Sequence, residues 1–272
     1  MLFRSALKDP VKAQTLFKAA AEQGNDVALY NLALTYERGV TGSADIPLAV
    51  TTYRAAAEKG NLGAIMRLAA IYEHGLDSQM APDYKEALAW YERAAEGYVS
   101  AAAFKAGMMY RMGKGAVLDE AKGRTYLEQA AGLGNVDAML MLAKICQEGD
   151  DQTGKGAEQA VMWYRKAVER NSPLAANSLG YFHARAAKTQ EEYAEAVKWY
   201  RKAVELNYPV AYFNLAYHYH YGLGIEKNLD EALRLYTLAS KNSDGYENLK
   251  VKAEEGIVEV TESLKVTSGA TK

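Results

Sequence analysis

One pattern recurs down most of the chain and leaves few folds open to it. An alanine is followed four residues later by an apolar residue, four further on by an aromatic, and three later usually by glycine. The first member is Ala28, Ala64, Ala102, Ala138, Ala175 and Ala211, and the second is Leu32, Leu68, Ala106, Leu142, Leu179 and Leu215. The third is Tyr36, Tyr72, Tyr110, Cys146, His183 and Tyr219, and the last is Gly39, Gly75, Gly113, Gly149, Ala186 and Gly222. The interval from one copy to the next is 36 to 38 residues. A spacing of four stacks side chains into one stripe of a helix, and glycine supplies the left-handed C-cap that a Cβ disfavours.

A second helix alternates with the first. Ala13, Ala49, Ala87, Gly123, Ala160, Ala196 and Ala232 each precede by four residues Phe17, Tyr53, Tyr91, Leu127, Tyr164, Tyr200 and Tyr236. Three residues after those stands alanine in all seven copies, from Ala20 and Ala56 to Ala239. So small a side chain at a fixed place lets two helices approach closely while the aromatic fills the gap beside it. One such helix pair cannot bury its own stripe, so neighbouring pairs must stack into a continuous core. The expected architecture is an all-α solenoid of stacked antiparallel helix pairs. Residues 1–10 form a leader or loop, and residues 11–243 a half-repeat plus six full repeats. A capping helix follows over 244–264, with Glu247, Val251 and Glu255 at the pattern positions, and a flexible tail over 265–272.

Composition agrees with this and narrows the function. Of 272 residues 49% are hydrophobic and 24% charged, with only five prolines, and straight-chain helix formers dominate. A formal net charge of -2 supplies no long-range field to collect nucleic acid. No apolar stretch reaches the roughly 20 residues of a spanning helix, so no membrane insertion is expected. The lone Cys146 excludes an internal disulfide. Residues 1–10 lack the apolar core of a signal peptide, which fits the cytoplasm, or the periplasm or secretion if a leader has been removed.

The stretch Tyr219 to Ala232 (YHYGLGIEKNLDEA) and the stretch Trp199 to Ala203 (WYRKA) carry a resemblance to the Sel-one-like repeat family, a branch of the tetratricopeptide superfamily. The resemblance covers residues 11–243. Thirteen to fifteen residues separate the first-helix aromatic from the second-helix alanine, against about nine in a plain tetratricopeptide repeat. It implies a right-handed superhelix whose first helices line a concave face, and a protein that works by binding another. Cys146, His183, Leu127 and Ala186 depart from the consensus, so repeats four and five are expected to pack or end differently.

By the same resemblance the exposed places are two, six and nine residues after the alanine. Tyr30, Leu34, Met66, Phe104, Met108, Leu140, Lys144, Tyr181, Phe213, Tyr217 and His220 are the candidate partner-binding residues. Their apolar, methionine- and tyrosine-rich character suits a helix or extended peptide with large side chains. The alternative is that the superhelix itself buries much of the first row. A non-catalytic adaptor is the leading expectation, and the alternative is a bacterial cell-envelope or polysaccharide assembly factor whose tyrosines stack on sugars. Because the half-repeat leaves Leu16, Phe17 and Ala20 uncovered, the chain is expected to be a piece of a longer solenoid or to self-associate there, with Leu2, Phe3 and Leu7 folding back as the competing cap.

Other constellations read as structural. Some bacterial relatives are associated with β-lactams, but Ser5 to Lys8 (SALK) is a chance-level match to the serine-lysine motif and its companions are missing. No cofactor and no metal are expected, because His218 and His220 lie two apart on a helix and face different ways. Glycine-lysine-glycine at 113–115 and at 154–156 ends helices instead of cradling phosphate, since no strand precedes it. Arg54, Arg165 and Arg201 suit a solvated outer face, and Glu37 and Glu73 lack the setting for acid-base chemistry.

Overall fold

The computed structural model describes residues 9–76, 80–148 and 155–269. Among these the chain forms fourteen helices: α1 (Pro10–Glu22), α2 (Asp26–Glu37), α3 (Ile46–Glu58), α4 (Leu62–His74), α5 (Tyr84–Glu96), α6 (Ser100–Met112), α7 (Glu120–Gly132), α8 (Val136–Glu148), α9 (Lys155–Glu169), α10 (Pro173–Ala186), α11 (Gln190–Glu205), α12 (Pro209–Tyr221), α13 (Leu229–Lys241) and α14 (Glu247–Gly269). The even-numbered helices from α2 to α12 carry the first pattern, and the odd-numbered ones the second. The chain is an all-α repeat solenoid. It divides into two compact units, Met1–Ala138 and Met139–Lys272.

Capping chemistry sets where the helices begin. Asp9, Asp45, Asp83 and Asp119 accept the first free amides of α1, α3, α5 and α7, and Asn25 and Asn61 do the same for α2 and α4. An N-cap oxygen replaces the partner that these amides lose at a helix start. In the first unit the seam is built from Tyr53, Leu68, Tyr91, Ala94, Ala106 and Leu127, all buried. In the second, Val197, Tyr200, Leu215, Leu235, Tyr236 and Val260 form one buried cluster.

A second row of small residues makes this seam possible. Ala33, Ala69, Gly107, Ala143, Gly180 and Ala216 stand one after the apolar member of the pattern, and all are buried. A Cβ on Gly180 would lie 2.6 Å from the Tyr200 ring. The aromatic of the second helix therefore lies flat on the backbone of the first.

Helix α10 ends differently, as expected from Ala186: Ala187 caps it in extended conformation, its N–H donating to His183 O, whereas Gly222 closes α12 at φ 68°. Alanine avoids the left-handed conformation, so the chain leaves α10 by another route. Helix α14 does not keep the pattern register. It buries Leu249, Ala253, Gly256 and Val260, while Val251 and Glu255 face solvent, because its apolar residues follow a 4-3-4 spacing two positions on. It also runs to Gly269, past the start of the expected tail, since no proline or glycine interrupts Lys265–Ser268. The alternatives drawn on Leu2, Phe3, Leu7 and the Ser5–Lys8 motif lie outside the described residues, as do Gly149 and Gly154.

Candidate functional site

On the even-numbered helices of the first unit, Tyr30, Leu34, Met66, Phe104 and Met108 are half-buried. Tyr30 packs on Tyr53 with ring centroids 5.6 Å apart, so part of the first row is absorbed into the stack. In the second unit Leu140 is half-buried, and Phe213 leans on Tyr236 at 5.5 Å. Lys144 is exposed and pairs loosely with Glu148 at 3.6 Å. Tyr181 and Tyr217 are 58% and 44% exposed. Tyr217 lies 4.6 Å from the exposed Tyr221, which the sequence reading did not single out.

His220 does not belong to that surface. It is only 5% exposed, stacked on Tyr221 and edge-on to Tyr236, with Nδ1 buried and unpartnered. Nine residues after the alanine the helix has turned toward its neighbour, so the third row faces inward here. His218 is buried too, and its Nδ1 sits 2.8 Å from Leu223 O. Burial pushes the imidazoles of His183, His218 and His220 below their ordinary value.

The third row instead builds a polar ladder inside the first unit. Glu37 accepts from the Tyr53 hydroxyl at 2.7 Å and pairs with Arg67 of the next repeat. Glu73 repeats this with Tyr91 at 2.5 Å and Lys105 at 2.9 Å. Burial raises both carboxyls, but the cation and the hydroxyl outweigh it and hold both below the usual value. These carboxylates are ionised structural acceptors. Where Leu127 replaces the tyrosine, no carboxylate stands nine after the alanine, and Arg111 turns to Glu120 at 2.9 Å.

The recurrent arginines also do more than coat a solvated face. Arg54 donates to the Tyr72 hydroxyl at 2.7 Å, and Arg201 to the Tyr219 hydroxyl at 3.1 Å, in each case eighteen residues on in the next repeat. Arg165 lies over the Trp199 ring at 5.9 Å. The tyrosines' distal ends are thereby tied to the preceding repeat. The sequence shows the constant eighteen-residue offset, but not that a hydrogen bond spans it.

In the second unit the ladder is broken and a cleft of about 620 Å³ opens between α8, α9 and α10. Cys146, Gln147, Tyr164, Asn177, Ser178, Tyr181, Phe182 and Arg185 line it. Tyr164 donates to Gln147 Oε1 at 3.0 Å, and Asn177 Oδ1 accepts from Asn214 Nδ2 at 2.9 Å. Cys146 is 7% exposed, as its place in the tyrosine slot predicts. Among the described residues no group of histidine, cysteine or carboxylate side chains is arranged to hold a metal ion, and no helix is long and apolar enough to cross a membrane.

Stacked helix pairs of this length, each closed by a neighbour's aromatic, define a tetratricopeptide-like helical repeat protein. The Sel1 repeat model matches residues 1–25, 26–61, 63–98, 100–135, 136–172, 173–208 and 209–244, and the chain belongs to the Sel1 repeat family. Its fold is similar to that of a Sel1 repeat protein from Oxalobacter formigenes, at 23% identity and a TM-score of 0.65, over 86% of this chain and 66% of that one. A protective antigen of uropathogenic Escherichia coli with an SLR fold aligns at 22% identity and a TM-score of 0.48, over 94% of this chain and 68% of that one. The chain thus spans about two thirds of the length of each. No curated protein matches it.

Proposed function

We propose that the chain is a non-catalytic scaffold that holds a partner protein or peptide on the face of its even-numbered helices. The contact residues on this reading are Tyr30, Leu34, Met66, Phe104 and Met108 in the first unit and Leu140, Lys144, Tyr181, Phe213 and Tyr217 in the second. The supporting observation is the exposure of Tyr181 and Tyr217, at 58% and 44%, on the same helix rows as the half-buried Tyr30, Phe104 and Phe213. Rigid amphipathic rings of this kind anchor interfaces at low entropic cost.

The test is affinity capture with the whole chain as bait, followed by direct binding of whatever protein is recovered. Tyr181→Glu with Tyr217→Glu should abolish capture while far-ultraviolet circular dichroism stays unchanged. Undiminished capture by that variant would move the contact to another face.

A further inference from the structure

We propose that the cleft between α8, α9 and α10 seats an aromatic side chain of a bound peptide, next to a carboxylate of the same peptide that meets Arg185. This rests on the scaffold reading and adds the chemistry of the partner. In the first unit the corresponding place is full: Arg67 and Lys105, three residues after Ala64 and Ala102, lie against Glu37 and Glu73 beside the tyrosine hydroxyls. In the second unit Ser178 stands three after Ala175, and Gln147 stands where the carboxylate would be. A hydroxymethyl group replaces a long cationic stem, and the space remains open above Tyr164.

What lines that space selects its occupant. Tyr181, Phe182 and Cys146 give apolar walls, and an incoming ring can stack on Tyr181. The polar groups left over are donors. Gln147 and Asn177 already use their oxygens to accept from Tyr164 and Asn214, which leaves their amide nitrogens free. Arg185 is exposed at the edge, and among the described residues it has no ion pair and no carboxylate lines the cleft. An anionic, acceptor-bearing ligand is favoured and a cationic one repelled. The volume lies within the range of about 300–1,000 Å³ typical of ligand pockets.

The probe is a fluorescein-labelled, terminally blocked glycine-serine octapeptide with a central Glu-Tyr, titrated with the whole chain and read by anisotropy. Glu-Ala and Lys-Tyr peptides are the controls. The Glu-Tyr peptide should bind about tenfold tighter than either. Arg185→Glu should erase that preference over Lys-Tyr. Gln147→Glu with Ser178→Arg, which rebuilds the ladder of the first unit, should weaken Glu-Tyr binding about tenfold at an unchanged melting temperature. Equal binding of the three peptides, or undiminished binding to the rebuilt variant, overturns the proposal. If the rebuilt variant still captures a partner that Tyr217→Glu loses, the scaffold reading stands and the cleft falls. If the peptide discriminates as stated while the chain retains no protein partner, the cleft stands and the scaffold reading falls.

Discussion

The hydroxyl of Tyr53 donates to Glu37 Oε2 at 2.7 Å, across the two helices of one repeat, and the same carboxylate holds Arg67 of the next. This joins three helices through one partly buried charge. Tyr53 itself is fully buried, so its hydroxyl has no water to fall back on. Tyr53→Phe removes a charge-assisted hydrogen bond without opening a cavity, and should cost about 1.5–3 kcal/mol in a denaturant titration. A loss within experimental error would mean that Arg67 alone satisfies Glu37.

Acid should weaken the two units in different pH windows. An unfolded histidine titrates near 6.5, and burial lowers His183, His218 and His220 below that. Between the two values the unfolded chain binds more protons, so their contribution is complete above about pH 6.5 and fades as pH falls. His183 faces Glu195 and Arg165, and His220 faces Glu259 and Lys227, while His218 is held by Leu223 O and packed on Tyr193 and Tyr200. All three lie in Met139–Lys272. Glu37, Glu73 and Glu92 of the first unit titrate below their usual 4.5, so their contribution is lost only as pH falls through that lower range. Hydrogen-exchange protection factors, which correct for the slower intrinsic exchange in acid, should therefore fall between pH 7 and 5 in α10 and α12 before they do in α2 and α4. A uniform loss of protection would contradict the assignment.

The turn before α6 is a place to gain stability. Tyr98 sits at φ 59° and is 76% exposed, where Gly60 and Gly134 occupy the equivalent turns, and Val99 caps no amide where Asn61 and Asn135 do. Tyr98→Gly relieves a left-handed conformation worth about 1–2 kcal/mol, and Val99→Asn adds a cap worth about 0.5–2 kcal/mol. Both should raise the melting temperature. A fall would show that the Tyr98 ring makes a contact of greater value than the strain.

Cys146 should react slowly with a thiol reagent in the native chain and rapidly in denaturant, because its sulfur is buried against Gln159. Fast native labelling would show that α8 opens at this point.

The helix pairs, their order and their seam were legible in the sequence, since a stripe repeated every 36 to 38 residues admits one way of being buried. The row Ala33, Ala69, Gly107, Ala143, Gly180 and Ala216 was equally legible, and the constant small size is the signal that would have revealed it. Spacing along one helix says which residues share a stripe, but not how far the neighbouring helix reaches around it. That is why His220 was expected at the surface and is buried, and why α14 buries Leu249 and Ala253 in place of Val251 and Glu255. The offsets that join Tyr53 to Glu37 and Arg67 cross three helices, and the cleft is lined by Gln147 and Ser178, which lie far apart in the chain. Periodicity fixed which faces are apolar because burial acts on each helix by itself. Only the tertiary structure decided which polar groups find partners, because hydrogen bonds depend on distances between helices that no single helix encodes.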